Sequence, residues 1–114
     1  MDKKTIGNWG ERLARKYLQA NDYEILATNW RYKHWELDII AYRQILVGVE
    51  VKTRNNSKNP AFTVLKVEQV ANLRRTLAKY CQINGLNYSD SRLDLILITK
   101  QSQQTVKLKH YPQI

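Results

Sequence analysis

Two apolar runs, Trp35–Tyr42 and Ile45–Thr53, follow one another with only Arg43 and Gln44 between them. Their richness in Ile, Val and Leu, broken by a short polar pair, is typical of two strands joined as a β-hairpin. Because an isolated hairpin is marginally stable in water, other strands or helices must cover it. This pair of runs therefore commits the chain to a sheet-based core.

Two helices and three further strands are predicted around the hairpin. Apolar residues recur every three or four positions from about Thr5 to Ala20 and from about Val64 to Ile83, which indicates two amphipathic helices. Shorter strands are predicted for Tyr23–Asn29, Leu93–Ile98 and Thr105–Leu108. The order α-β-β-β-α-β-β predicts an α/β protein with helices packed on a five-stranded sheet, in one domain spanning residues 1–114.

The charge balance favours a polyanionic partner. The chain of 114 residues carries 19 Lys and Arg against 10 Asp and Glu, a net charge of +9, and its pI is near 9.8. Such a basic domain suits nucleic acid first and an anionic membrane second. The membrane is disfavoured because the longest apolar stretch, Ile45–Val49, is far shorter than the roughly 20 residues that a spanning helix needs.

The rarity of Cys and His limits metal and redox chemistry. One cysteine, Cys81, cannot form an internal disulfide, and with two histidines it cannot make a structural zinc site. The polar start of the chain predicts no signal peptide and a cytoplasmic location. Any bound metal is expected to be a hard cation held by oxygen.

One pair of charged residues stands out on the second strand of the hairpin. Strand side chains alternate between faces, so Glu50 and Lys52 share a face with Gly48, while the flanking valines point to the other face. Gly48 is expected to leave an open space next to Glu50. A carboxylate and an ammonium group would then lie side by side at an accessible position.

Asp38 lies inside the apolar run of the preceding strand, where an acid is unfavourable. A two-residue hairpin loop would place it opposite Val49, on the wrong face. A three-residue loop would place it opposite Gly48, with Glu36 opposite Glu50. A catalytic interpretation therefore predicts an odd loop or a β-bulge, both of which are common beside active sites.

Such a cluster suits metal-assisted phosphoryl chemistry. Asp38 and Glu50 could together hold Mg²⁺ or Mn²⁺, which prefer oxygen ligands. The metal would lower the pKa of a bound water, and Lys52 would orient that water and stabilise the phosphate charge. The carbonyl of Val51 could add a ligand, and Glu11 of the first helix could bind a second metal or its water.

Each acid also has a purely structural interpretation. A Glu-x-Lys pair is common as a surface ion pair, and such short motifs often occur by chance. Asp38 could form a salt bridge with Arg31 or with Lys52. Glu11 could simply interact with the helix dipole. For Asp94, which lies in a later apolar strand, the structural interpretation is favoured: a pair with Arg92 or another basic group.

Several segments together resemble a known family. They are Gly7–Glu11, Tyr23–Leu26, Asn29–Arg31, Glu36–Ala41, Val49–Arg54 and Arg92–Ile96. Their order and spacing, over roughly Ile6 to His110, are similar to those of the YraN-type family of small bacterial nuclease-like proteins. That family resembles the Holliday junction resolvases of the PD-(D/E)xK superfamily. The resemblance implies a restriction-endonuclease-like core: a mixed central sheet flanked by helices.

The resemblance also assigns roles by position. By resemblance, the superfamily's two acidic residues correspond to Asp38 and Glu50, and its lysine to Lys52. Its helical glutamate corresponds to Glu11. Two departures stand near them. Trp35 replaces a glycine that is usual in the family, which could place an aromatic ring beside DNA, and Gln69 replaces a basic residue early in the second helix.

Contacts to nucleic acid are predicted from the basic and aromatic residues around this cluster: Arg12, Arg15, Arg31, Lys33, Trp35, Arg54, Lys58 and Gln69. Cations neutralise phosphates, and Trp35 can stack on an unpaired base. For Arg12 and Arg15 a solvated helix face is an equal alternative.

The sequence thus predicts an endonuclease that depends on Mg²⁺ or Mn²⁺ and acts on DNA, with branched or repair intermediates as the expected substrates. A homodimer is left open, because a resolvase cuts two symmetric strands. A non-catalytic nucleic-acid-binding module that kept the nuclease fold is the main alternative. A small protein that docks an acidic partner through its basic face is the third.

Overall fold

The first helix begins where the sequence offers a cap. In the computed structural model, which describes residues 2–55, 65–103 and 105–114, the side chain of Asp2 accepts a hydrogen bond from the Thr5 N–H at 2.8 Å. The elements in chain order are α1 (Lys3–Ala20), β1 (Glu24–Tyr32), β2 (Trp35–Arg43), β3 (Ile45–Asn55), α2 (Val67–Ile83), a single 3₁₀ turn (Tyr88–Asp90), β4 (Ser91–Lys100) and β5 (Val106–Tyr111).

The five strands form one sheet in the order β1-β2-β3-β4-β5. Neighbouring strands are antiparallel except for β3 and β4, which run parallel. Parallel strands need a crossover connection, and α2 lies on the connection between these two. The predicted mixed five-stranded sheet flanked by helices is confirmed.

Alternation along β3 divides the core into two layers. Val47 and Val49 pack with Leu18 of α1 in one buried cluster. Leu46 packs with Leu77 of α2 in the other. The sheet is therefore covered by α1 on one face and by α2 on the other, and the predicted division of β3 into two faces is confirmed.

The β2–β3 hairpin turns on a single residue. Gln44 adopts a positive φ of 68°, and Arg43 pairs directly with Ile45. The predicted odd loop is confirmed, but the register differs from that of a three-residue loop, because Gly48 pairs with Ile40 instead of Asp38. The described pairing ends one residue before Asp38, and continuing the same register would set Asp38 opposite Glu50.

The prediction of an open space beside Gly48 is wrong. A Cβ atom at Gly48 would lie 2.8 Å from Leu37 Cδ2 and 3.2 Å from Leu77 Cδ1, so side chains fill this position. Leu37 reaches it because alternation breaks in β2: Leu37 and Ile40 lie in the α2-side cluster, whereas Ile39 lies in the α1-side cluster. The irregularity falls at Asp38.

Some boundaries differ from the predicted ones. The described part of α2 begins at Val67, whereas the helix is predicted from about Val64, and residues 56–64 lie outside the described residues. Strand β1 extends to Tyr32. Neither of the two described helices contains a stretch both apolar and long enough to cross a bilayer.

Candidate functional site

Asp38 and Glu50 meet across the β2–β3 hairpin. Asp38 Oδ2 accepts a hydrogen bond from the backbone N–H of Val51 at 2.8 Å. Glu50 is only 7% exposed, and its carboxyl group shares a hydrogen bond with Asp38. The odd hairpin register and the irregularity in β2 thus bring together the two acids that the sequence places on separate strands.

This pair lacks sufficient countercharge. Burial raises the pKa of Glu50 to about 9, and the hydrogen bond and negative charge of Asp38 add to the increase. Lys52 opposes it only partly, since its Nζ lies 3.5 Å from Glu50 Oε2. Gln69 Nε2 of α2 is also 3.5 Å from that oxygen. At neutral pH Glu50 therefore keeps its proton beside Asp38.

The chemistry of these donors fits a hard divalent cation. Two adjacent carboxyl groups provide the oxygen ligands that Mg²⁺ and Mn²⁺ prefer, and a cation could replace the proton on Glu50. Within residues 2–55, 65–103 and 105–114, no set of three His, Cys, Asp or Glu side chains is arranged to hold a metal. A cation here would thus depend on Asp38, Glu50 and additional backbone or water oxygens, and the Val51 carbonyl stays a predicted ligand.

Glu11 lies at the margin of this cluster. Its carboxylate accepts a hydrogen bond from Asn29 Nδ2 at 2.7 Å, and the same amide contacts Glu36 Oε1 at 3.2 Å. Burial raises the pKa of Glu11, and the charge of Asp38 adds to the shift, so the two acids are electrostatically linked. Among the described residues, Glu11 does not form a three-residue metal site with Asp38 and Glu50. Its role as a metal ligand stays a prediction.

Asn29 is a site residue that the sequence analysis missed. It holds Glu11 through its side chain and adopts a left-handed φ of 49° beside the irregular part of β2. Asparagine tolerates this conformation better than most residues. An asparagine at the end of the predicted first strand was a weak signal that could have drawn attention to it.

The structural interpretation of Asp38 as half of a salt bridge is not supported. Arg31 pairs with Glu36, and Lys52 pairs with Glu50. In the part of the chain that the structure describes, neither cation forms an ion pair with Asp38. A half-buried acid without a cation is costly unless something else binds it.

Asp94 is held entirely within the protein, as its structural interpretation predicted. Its buried carboxylate accepts hydrogen bonds from Arg92 Nε at 2.7 Å and Arg92 Nη2 at 2.9 Å. His110 Nε2 lies 2.6 Å from it, and the Gln113 N–H donates at 3.1 Å. We refer to these residues, with Tyr17 bonded to His110, as the Asp94 network.

Cations and aromatic rings meet beside the β1–β2 turn. Lys33 Nζ lies 5.6 Å and Lys79 Nζ 4.7 Å from the centre of the Tyr32 ring. The guanidinium of Arg75 lies 5.9 Å from the Trp35 ring. We call these five residues the hairpin surface. Arg75 was missed from the sequence, although its spacing of four from Lys79 places both on one side of α2.

The other residues that were predicted to contact nucleic acid do not form one surface. Arg12 is exposed and Arg15 half-buried on α1, and Arg54 is half-buried near the end of β3. Arg31 is exposed but paired with Glu36. Gln69 contacts Glu50 and therefore lies beside the acid pair. Lys58 lies outside the described residues.

The fold and site define a small α/β domain with a mixed sheet and a pair of acids, one buried and one half-buried, beside a lysine. The chain belongs to the UPF0102 family, because the model of "Uncharacterised protein family UPF0102" matches residues 10–98.

Two relatives that match over most of their length illustrate this membership. The UPF0102 protein of Herpetosiphon aurantiacus is 35% identical over 119 residues, covering 99% of this chain and 95% of the relative. That of Christiangramia forsetii is 39% identical over 108 residues, covering 92% and 88%. Among solved structures, "Crystal structure of SSO0001" aligns with a TM-score of 0.43 and 16% identity, covering 94% of this chain and 50% of that one.

Proposed function

We propose that this protein is a metal-dependent endonuclease of the PD-(D/E)xK type that hydrolyses phosphodiester bonds in DNA, with branched or repair intermediates as the expected substrates. The observation that carries the proposal is the contact between the Asp38 and Glu50 carboxyl groups beside Lys52. Burying a carboxyl group beside a second one is unfavourable, and such arrangements concentrate at functional sites.

Asp38, Glu50 and the Val51 carbonyl would hold Mg²⁺ or Mn²⁺. When bound, such an ion lowers the pKa of a water ligand and offsets charge on the phosphoryl group. Its positive charge would also release the proton that Glu50 now retains. The acid pair is therefore more favourable with a cation bound than without one.

Lys52 would act on the substrate side of the pair. Its side chain is 34% exposed while that of Glu50 is 9% exposed, so the ammonium reaches solvent from beside the acids. In hydrolysis, a water oxygen bonds to phosphorus and gives up one proton to solvent, one bridging P–O bond breaks, and the leaving oxygen takes a proton from solvent. Lys52 would stabilise the negative charge that develops on the phosphate oxygens.

The charge distribution supports a nucleic acid substrate. The net charge of +9 attracts a polyanion, and the hairpin surface combines cations with the Tyr32 and Trp35 rings. Rings and cations together suit a strand whose bases are unpaired.

The test is cleavage of linear duplex DNA and of a four-way junction with Mg²⁺ or Mn²⁺. Loss of one charge-stabilising group typically costs about 100- to 1,000-fold in rate, so we expect reductions of that order in Asp38→Asn and Lys52→Ala. Lys109→Gln removes an exposed lysine of β5 and serves as the control with full activity. Cleavage at the wild-type rate in both site variants would overturn the proposal.

A non-catalytic nucleic-acid-binding module is the second candidate. It is favoured by the lack of a third acidic ligand beside the pair in the described residues. This candidate predicts salt-sensitive binding without cleavage. Asp38→Asn would then bind DNA at least as tightly as the wild type, and added metal would change nothing.

A further inference from the structure

The two rings of the hairpin surface lie on the α2 side of the sheet. Tyr32 and Trp35 pair directly at the β1–β2 turn, so their side chains share a face. Trp35 is two residues from Leu37, which is buried in the α2-side cluster, and the strand pairing is regular between them. The contacts of Arg75 and Lys79 of α2 with the two rings agree with this placement.

The acid pair borders the same helix on the same side. Glu50 Oε2 lies 3.5 Å from Gln69 Nε2 of α2, and Leu46, four residues earlier on β3, is buried in the α2-side cluster. Gln69 precedes Arg75 by six residues and Lys79 by ten, which is roughly 9 Å and 15 Å along the helix axis at about 1.5 Å per residue. Successive phosphates of a strand are about 3.4 Å apart along a duplex axis, so one strand can reach both places within a few nucleotides.

The cations of the hairpin surface carry no acidic partners in residues 2–55, 65–103 and 105–114. Lys33, Arg75 and Lys79 form no ion pair there, and the last two donate to neutral side-chain amides of α2. Lys33 Nζ and Lys79 Nζ lie 5.6 Å and 4.7 Å from the centre of the Tyr32 ring. These two ammonium groups are therefore at most about 10 Å apart, about one Debye length at 0.1 M salt. A bound phosphate would offset their repulsion.

The rings add a preference for bases that are not paired. Tyr32 and Trp35 are both half-buried, so part of each residue stays accessible. The guanidinium of Arg75 lies 5.9 Å from the Trp35 ring, near the outer limit of about 6 Å for a cation–π contact, so it does not pack closely on that ring. Unpaired bases can leave their own stack and stack on aromatic side chains, whereas the bases of a regular duplex are already stacked on one another.

We propose that the hairpin surface binds an unpaired segment of a nucleic acid strand and so selects partly single-stranded DNA as the substrate. A base stacks on Trp35, and Lys33, Arg75 and Lys79 contact the adjoining phosphates. The strand-binding site rests on the rings and cations themselves. Its role in selecting the substrate rests on the proposed nuclease function, because the bound strand must continue to the acid pair.

The first test is the affinity for a fluorescently labelled single-stranded oligonucleotide in EDTA, measured beside a duplex of the same length. Trp35→Leu should weaken single-strand binding by roughly 5- to 100-fold, the range for the loss of one stacked base, and should leave duplex binding nearly unchanged. Trp35→Phe keeps an aromatic ring and should retain most of the single-strand affinity. Thermal unfolding checks that both variants are folded.

Arg75→Gln tests the cations without changing a ring. Arg75 is exposed on α2, so this change leaves the core intact. We expect weaker single-strand binding and a salt dependence reduced by about one phosphate contact. Lys109→Gln removes one exposed charge from β5, at the opposite edge of the sheet, and should lose less. Equal losses in Arg75→Gln and Lys109→Gln would overturn the assignment of the strand to the hairpin surface.

The second test is cleavage of a duplex that carries a single-stranded flap, compared with the same duplex fully paired. We expect faster cleavage of the flap substrate by the wild type, and a smaller difference in Trp35→Leu. Equal rates on the two substrates would overturn the selecting role of the hairpin surface.

The outcomes separate this proposal from the nuclease proposal. If the variants change single-strand binding as expected but no metal supports cleavage, the strand-binding site stands and the nuclease fails. If DNA is cleaved but Trp35→Leu changes neither single-strand affinity nor substrate preference, the site is overturned and the nuclease stands. Equal weakening of single-strand and duplex binding in Trp35→Leu also overturns the site, because the surface would then bind backbone charge regardless of base pairing.

Discussion

Asp94 and Glu50 are buried acids on adjacent strands, but their surroundings differ. Asp94 receives hydrogen bonds from Arg92, His110 and the Gln113 backbone. Burial alone would raise its pKa, yet these bonds together hold the pKa below its usual value. Glu50 is buried beside another carboxyl group, and its pKa rises.

This difference separates an acid that stabilises the fold from one that is suited to an external ligand. The Asp94 network contains its own countercharge, so an added cation would gain little there. The Asp38–Glu50 pair has too few donors and one excess proton, so a cation supplied from solution can stabilise it. Burial alone does not identify a functional acid; the shortage of partners does.

The largest effect is expected from Asp94→Asn. The amide cannot accept all the hydrogen bonds of the carboxylate, and its NH₂ group would face the donors of Arg92 and His110. Removing one partner of a buried pair typically costs about 3–5 kcal/mol, and we expect that loss of stability in urea unfolding.

Glu36→Gln is the control for that experiment. Glu36 pairs with Arg31, whose side chain is 64% exposed, and exposed pairs contribute about 0–1 kcal/mol. Equal losses in the two variants would contradict the distinction between an internally satisfied acid and a surface ion pair.

The sequence predicts the layers of this fold better than the detail of its site. Alternating valines assigned the faces of β3 correctly, because regular strands leave their period in the sequence. The run Leu37-Asp38-Ile39-Ile40 does not reveal that alternation breaks at Asp38, and the space above Gly48 was therefore misjudged. Bulges and one-residue loops are set by tertiary packing as well as by local preference.

The acid pair was predictable only in part. Acids in apolar strands drew attention to Asp38 and to Asp94, and the loop argument placed Asp38 on the same face as Glu50 but opposite Gly48. The partners of Asp94 come from distant segments: His110 lies on β5 and Gln113 follows it. Such long-range partners decide whether an acid is satisfied, and local periodicity carries no information about them.

Adding Mn²⁺ should sharpen the contrast between the two acids. A ligand at 100 times its Kd that binds only the folded state stabilises it by about 2.7 kcal/mol. We expect this gain for the wild type in thermal unfolding, with reversal by EDTA, and none for Asp38→Asn. An equal gain in both proteins would assign the metal to another place.

Glu50→Gln should stabilise the metal-free protein. The pKa of Glu50 is about 9 in the folded state and near its ordinary value of 4.5 in the unfolded state, so only the unfolded chain releases this proton between those values. The contribution of protonated Glu50 is therefore complete below about pH 4.5 and is lost as pH rises toward 9. Gln carries no such proton.

We therefore expect Glu50→Gln to be more stable than the wild type at pH 8 and about equally stable at pH 4, as measured by urea unfolding at both pH values. The same variant should lose the stabilisation by Mn²⁺. A variant that is less stable than the wild type at pH 8 would show that the acid pair is satisfied without metal, as Asp94 is.

The smallest expected effect lies at the outer end of the Asp94 network. Because Asp94 is held as a carboxylate, His110 Nε2–H donates to it, and the Tyr17 hydroxyl is hydrogen-bonded to His110 Nδ1 at 2.9 Å. Tyr17→Phe removes one neutral hydrogen bond and should cost about 1 kcal/mol. Tyr42→Phe, at a 46% exposed tyrosine, is the control and should cost less. If the two changes cost the same, Tyr17 does not orient His110, and Arg92 with the backbone suffices to hold Asp94.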